Sequence, residues 1–289
     1  MSEGTSLINL GDLSKPATVL IEKVSSAVGL IYEPYHIKRV ARAETEADKI
    51  RALAKIELTQ LEQRAIERMV QQEARKQDNI EQITAQAASE LPSDAKVESL
   101  SEDWVAHFFK QCDTVSDKEM QSLWARLLSG EATKPGTFSK RTVDFVSSID
   151  KKDAQLFSTF CQFLWFFGDL MPLIYETEND IYTKQGITFS ALKHLDSIGL
   201  VSFESTTGYV RKGYGKRAVV HYYGRPVVLE FSKEEANQLD IGKVLLTSVG
   251  KELAPICGSR RNEAFYEYVI EHWFKENLVL STLVGARAW

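Results

Sequence analysis

Cysteine is scarce in this chain: Cys112, Cys161 and Cys257 are the three among 289 residues, and no Cys-x-x-Cys pair occurs. An odd total at wide spacing argues against a disulfide framework or a Cys-rich zinc site and fits a reducing compartment. No long apolar run is present either. Residues 17–32 carry Glu22 and Lys23, and residues 156–175 are broken by Gln162, Asp169 and Pro172. Neither supplies the roughly 18 apolar residues of a spanning helix. The first dozen residues are polar and acidic, without the basic flank and apolar stretch of a secretory signal. The expected location is cytoplasmic, with peripheral contact at the inner membrane kept open by the 17–32 segment. Neither sign of charge dominates: 35 Lys and Arg stand against 40 Asp and Glu, a net charge of −5, which disfavours a chain that coats nucleic acid wholesale. With 44% hydrophobic and 26% charged residues, the composition is that of a globular protein long enough for one large or two to three small units.

Recognisable catalytic and cofactor motifs are lacking as well. Gly215-Lys216, Gly242-Lys243 and Gly250-Lys251 have neither the following Ser or Thr nor the upstream glycine of a phosphate-cradling loop. The Gly213 to Ala218 stretch matches a dinucleotide fingerprint weakly, and it lies in a β-rich region instead of between a strand and a helix. His36, His107, His194, His221 and His272 are scattered, with no metal-ligand spacing, and no Gly-x-Ser-x-Gly elbow is present. A non-enzyme without cofactor or metal is the expectation. A hydrolase or nuclease with a dispersed site ranks last.

What is present is helical patterning. Within 17–32, Val19, Leu20, Ile21, Val24, Val28, Ile31 and Tyr32 recur at three- and four-residue spacing. Such a stripe packs on the protein's own core or a partner copy, or lies on an anionic membrane surface, for which Lys38, Arg39 and Arg42 provide a basic flank. From 36 to about 90 the chain has no Gly or Pro and is rich in Ala, Glu, Gln, Arg and Lys, predicting one long helix or two. Opposite charges at Glu46 and Lys49, Asp48 and Arg51, and Arg64 and Glu67 can pair along its solvated face. A thin seam of Ile50, Leu53, Leu61, Ala65, Met69, Ile80, Ile83 and Ala87 asks for a partner helix from this chain or from another copy. A solvated spacer is the alternative.

Residues 100–175 read as a helical bundle. Ser101 starts a helix through Trp104, Val105, Phe108 and Phe109. Ser116 or Asp117 caps the next, whose Met120, Leu123, Trp124, Leu127 and Leu128 form a stripe stopped by Gly130. After the Lys134-Pro135-Gly136 turn, Ser139 opens a short helix and Asp150 a long apolar one through Leu156 and Trp165, ending near Gly168.

The last third changes period. Leu192, Leu195 and Ile198 predict a helix stopped by Gly199 before a strand at Leu200-Val201. β-rich runs at 209–210, 218–223 and 227–231 predict a hairpin or three-stranded ribbon. A strand, a Thr247 cap and a helix from Ser248 follow, then a terminal helix over about 261–280. Helix, strand, ribbon, strand, helix is the layout of a winged-helix-like module. Between Glu204 and Glu230 stand Arg211, Lys212, Lys216, Arg217 and Arg225 with no acid, interleaved with Tyr209, Tyr214, Tyr222 and Tyr223. A basic wing of this kind can grip phosphates of a nucleic acid or another anion, or its charges can simply keep an exposed sheet edge soluble. The preceding helix offers only Lys193, His194 and Ser197 for reading bases, which makes sequence-specific readout doubtful.

Three stretches carry a family likeness: YEPYHIKRVARAETEADKI over 32–50, SDKEMQSLWARLLSGE over 116–131, and Pro135-Gly136 with Phe138-Ser139. Together with Asp103-Trp104 and Phe108-Phe109, they make the chain resemble a bacterial family known as a domain of unknown function, DUF2806. The bundle, Gly199-Leu200 and Leu245-Leu246-Thr247 are also similar to the abortive-infection alpha group. The 36–90 helix is faintly similar to oligomerising helices of prohibitin- and flotillin-type proteins. These resemblances imply a bacterial, mostly helical protein with a role in phage defence, and they transfer no catalytic residue.

The expected architecture is therefore mainly α with a small β part: an amphipathic segment over 1–35, a long charged helix over 36–95, a helical bundle over 96–180 and a winged-helix-like module over 181–289. The expected function is that of a non-enzymatic, self-associating interaction protein, a homo-oligomer with an anionic membrane surface or a protein as further partner. Val19, Leu20, Val24, Val28, Ile31, Leu53 and Leu61 would carry the association. The alternative is a nucleic-acid-binding regulator using the five basic residues.

Overall fold

The structure, a computed structural model, describes residues 14–29 and 60–281. Ile31, Leu53 and the paired charges over 46–51 lie outside the described residues. The fold is mainly α with a small β part, and the chain divides into two compact units, Met1–Ser148 and Ile149–Trp289. Residues 149–180, read above with the helical bundle, thus belong to the second unit.

The first unit is helical. Helix α1, Lys15–Val28, starts at Ser14, whose hydroxyl accepts from the Ala17 N–H, and ends at Gly29 in the left-handed region. Its Leu20, Ile21 and Val24 are buried, because α1 packs on α2, Gln60–Ser89, and on α3, Glu102–Cys112. Lys23 donates to the Leu100 carbonyl at 2.9 Å. Of the readings open for this stripe, packing on the protein's own core is the one observed. Helix α2 runs along α4, Lys118–Thr133, through its C-terminal half, where Ile83 and Ala87 are fully buried. Buried Asn79 fixes that contact: its amide donates to the Asp113 carbonyl at 2.8 Å, and its oxygen accepts from Gln121 at 3.1 Å and Ser116 at 3.3 Å. These bonds satisfy a polar group that would otherwise be costly to bury.

Gly130 does not end α4, which continues to Thr133. The Phe138 ring lies 2.7 Å from where a Cβ at position 130 would sit, so the glycine makes room for the returning loop. That loop closes on α3 through Trp104 Nε1, which donates to the Phe138 carbonyl at 2.9 Å, and leads into α5, Lys140–Ser148.

The second unit opens with α6, Lys151–Cys161. The single apolar helix expected through Trp165 is not formed. Beyond Cys161 the chain makes an antiparallel hairpin of β1, Leu164–Phe166, and β2, Leu170–Pro172, turning at Gly168 and Asp169. A short buried strand and a buried helical turn give the same apolar run, so periodicity cannot separate them. In the strand Trp165 points into the core, against Tyr222, Tyr266 and Trp273, while Phe166 faces out.

Helices α7, Asp180–Thr183, and α8, Phe189–Ser197, precede β3, Val201–Phe203. Strands β4, Tyr209–Tyr214, and β5, Arg217–Tyr222, follow one another in sequence but do not pair, so of the hairpin or three-stranded ribbon expected there the hairpin is formed, by β5 with the strand after it, and the three-stranded ribbon is not. β4 pairs with β7, Asn237–Gly242, whereas β5 and β6, Arg225–Glu230, form a hairpin that joins the first one. The resulting sheet has the order β2-β1-β5-β6-β9, with β9 at Val279–Ser281, and β3 pairs with β8, Val244–Leu246. The strands of the second unit are antiparallel, apart from a parallel bridge between Ile174 and Gly242. Gly242 has φ +85°, and a Cβ there would lie 2.3 Å from the Ile174 carbonyl oxygen, so both conformation and space demand glycine. Thr247 caps α9, Ser248–Leu253, as expected. The terminal helix α10 is shorter than expected, Glu263–Lys275, and buries Phe265, Tyr266, Val269 and Trp273.

Candidate functional site

The five cations of the expected basic wing are spread over four places. Arg211 and Lys212 lie on β4, Lys216 precedes β5, Arg217 opens β5 and Arg225 opens β6. Three of them meet carboxylates of this chain: Lys216 and Glu234 at 3.5 Å, Arg217 and Glu230 at 3.1 Å, Arg225 and Glu263 at 3.6 Å. Arg225 also stacks 4.0 Å above the Tyr266 ring. Arg211 leans on Tyr214 and on the Met171 sulfur, and Lys212 stands opposite Gln238 on the neighbouring strand. Among the described residues, only these two of the five have no carboxylate partner. The basic character visible in the sequence is therefore largely offset by acids from β6, the 232–236 turn and α10.

The helix before β3 is similarly engaged. Lys193 pairs with Asp196 at 3.6 Å and lies over the Phe203 ring, and His194 Nε2 meets Asp153 Oδ1 at 2.7 Å. Of the other histidines, His107 meets Asp144 at 2.7 Å, and His221 packs beside Phe166. His272 stacks on Tyr175 at 3.8 Å. Burial holds the His272 pKa below its ordinary 6.5, against the upward pull of Glu276, Asp240 and Glu176, while Lys275 pushes it further down. His36 lies outside the described residues. Among the described residues, no three His, Cys, Asp or Glu side chains gather to hold a metal ion.

The apolar residues read as association positions have different fates. Leu20 and Val24 are fully buried in the first unit, and Val19 and Val28 are half-buried. Leu61 is the contrast: on α2 it is 70% exposed, with Met69 at 57% and Val70 at 55%. Helix α2 is thus half embedded and half bare. From Asn79 onward its apolar positions are buried or half-buried, while from Gln60 to Asp78 its residues are exposed or at most half-buried. The bare stripe Leu61, Ala65 and Met69 continues into half-buried Ile80 and buried Ile83 and Ala87, all at helical spacing. Val70 belongs to the exposed patch but not to the seam read from sequence. Its position one residue after Met69 broadens the stripe, which a strict three-four spacing does not register. No described helix is long and apolar enough to cross a membrane.

No curated protein and no solved structure matches this sequence significantly. The sequence profile of the family described as "Protein of unknown function (DUF2806)" matches residues 63–270, from the bare half of α2 into α10. That span includes the Trp124 to Glu131 segment and the turn that the Glu131 carboxylate closes. The match extends over more than half of the sequence, and the chain belongs to the DUF2806 family.

Proposed function

We propose that this chain is a non-enzymatic, self-associating interaction protein in which the bare half of α2 pairs with the same helix of a second copy. The observation that carries this reading is the exposure of Leu61, Met69 and Val70 on a helix whose continuation is embedded in its own domain. Leaving such a stripe in water forgoes about 25 cal/mol per Å² of apolar surface. The segment 60–78 suits its own copy electrostatically. Glu62, Glu67, Glu73 and Asp78 are balanced by Arg64, Arg68, Arg75 and Lys76, so two such helices meet without net repulsion. A cytoplasmic location, contact with the inner-membrane surface and a part in phage defence belong to the same proposal. The location rests on the sparse, widely spaced cysteines, the membrane contact on the basic flank Lys38, Arg39 and Arg42, and the defence role on the resemblance to the abortive-infection alpha group.

The test is cross-linking between copies. In the full chain carrying Met69→Cys, a short bis-maleimide should join position 69 of one copy to position 69 of another, as mapped by peptide mass. A chain that stays monomeric at concentrations where it is otherwise handled, with no 69-to-69 link, overturns the proposal and leaves the stripe to a segment of the same chain.

The second reading is a nucleic-acid-binding regulator. What favours it is the order α7, α8, β3, then the β4 and β7 pair, then β8, an arrangement consistent with a winged helix carrying a hairpin inserted in its wing. What disfavours it is the engagement of Lys216, Arg217, Arg225, Lys193 and His194 by carboxylates of the same chain.

A further inference from the structure

Two of the three cysteines, far apart in sequence, meet in the second unit. Cys161 is the last residue of α6, and Cys257 follows the 3-10 turn Ala254–Ile256, against which α6 packs. The Cys161 thiol is buried and close enough to Cys257 for that thiol to help raise its pKa, after burial itself, and Cys257 donates to the Ala254 carbonyl at 3.1 Å. Tyr223 pins both flanks: its hydroxyl bonds to the Cys161 carbonyl at 3.2 Å and to the Ser259 hydroxyl at 2.7 Å. A half-open cleft of about 300 Å³ reaches this place, lined mainly by apolar groups from Phe166, Leu170, Tyr223 and Pro255, with Cys161 in its wall. Neither cysteine is in a disulfide.

We propose that Cys161 and Cys257 are an oxidation site, closed to a reversible intramolecular disulfide by a small uncharged peroxide. Cys257, the less buried of the two, reacts first. Its thiolate attacks one peroxide oxygen, the O–O bond breaks, and the products are a sulfenic acid and a hydroxide that takes up a proton to become water. The Cys161 thiol then gives up its proton and its sulfur attacks the Cys257 sulfur. The S–O bond breaks, and the departing hydroxide leaves as a second water. Overall two thiols and one hydrogen peroxide become one disulfide and two waters. Burial pushes the Cys161 thiol pKa well above its usual value, which suits a resolving group that stays protonated until its neighbour is oxidised. Closure brings the two sulfurs to about 2.05 Å, through side-chain rotation and a shift of the 3-10 turn against which α6 packs. In a reducing compartment the bond would be transient and would record oxidative stress. Cys112 is buried in the first unit and takes no part.

The experiment uses the full chain, folded, treated with hydrogen peroxide and then with dithiothreitol. Intact mass should fall by about 2 Da on oxidation and recover on reduction. Peptide mapping should join the segments holding Cys161 and Cys257, with Cys112 still alkylatable after unfolding. Cys161→Ser should leave a sulfenic acid on Cys257 that dimedone traps, and Cys257→Ser should abolish the mass loss. Both variants replace sulfur by oxygen at nearly equal size. The proposal is overturned if the folded chain shows no 161-to-257 link, if the link involves Cys112, or if oxidation proceeds only in denaturant.

Discussion

The carboxylate of Glu131 accepts the backbone N–H of Phe138 at 2.8 Å and that of Gly136 at 2.6 Å, while itself only 4% exposed. A buried charge so satisfied holds the turn between α4 and α5 in one conformation. Glu131→Gln should remove the charge assistance and misplace one donor, costing about 1–3 kcal/mol. Gly130→Ala should cost a similar ~1–3 kcal/mol, because the Phe138 ring at 2.7 Å must move. Denaturant unfolding of each variant checks both values. Stabilities equal to wild type would mean that the turn is set by Pro135 and Gly136 alone.

Leu20 decides between the own-core and membrane roles of α1. Because it is fully buried, Leu20→Ala should destabilise the protein by about 2–5 kcal/mol. The same substitution in a lipid-facing residue would leave unfolding unchanged and reduce capture by anionic vesicles. Thermal unfolding and vesicle sedimentation of the one variant therefore separate the roles.

His272 makes stability pH-dependent in a definite direction. Its folded pKa lies below 6.5, so the unfolded chain binds the proton more readily. The contribution of a neutral His272 is full above its unfolded pKa and is lost as pH falls through that value toward the folded one. Around the ring, Glu276, Asp240 and Glu176 soften the loss by favouring the charged form, and Lys275 accentuates it. Unfolding midpoints measured from pH 8 down to 5 should fall more steeply for wild type than for His272→Gln. Parallel curves would contradict this.

For the basic residues, pairing predicts which substitutions are silent. Arg217→Ala should change stability by no more than about 1 kcal/mol, since its partner Glu230 is at the surface. In binding to a short DNA duplex at low salt, Arg211→Ala with Lys212→Ala should remove most of the affinity. Lys216→Ala with Arg217→Ala should remove little, because those cations are already matched by carboxylates. Tight binding that survives physiological salt would instead favour the nucleic-acid reading.

Much of the fold is legible in the sequence where a cap, a stripe and a breaker agree. Ser101, Asp117, Asp150 and Thr247 all cap the helices expected of them. Legibility fails where an apolar run carries no period, as at Leu164 to Phe166, or where strand partners are remote. β4 and β5 sit side by side in sequence, yet β4 finds its partner in residues 237–242, whose Leu239 and Ile241 alternate with exposed Gln238 and Asp240. That alternation was a readable strand signal, but the pairing it leads to is not written locally. The pairing of the wing's charges is hidden for the same reason: Glu234 and Glu263, which lie outside the basic stretch, and Glu230 at its edge reach its cations only in the folded chain.

The most direct test of self-association is the solution mass of the full chain by light scattering, beside a variant carrying Leu61→Glu, Met69→Glu and Val70→Glu. All three side chains are more than half exposed, so the variant should keep its unfolding temperature. Self-association through this stripe gives the wild type a multiple of 32.6 kDa and leaves the variant at 32.6 kDa. A wild-type mass of 32.6 kDa, or an oligomer unchanged by the three substitutions, would contradict it.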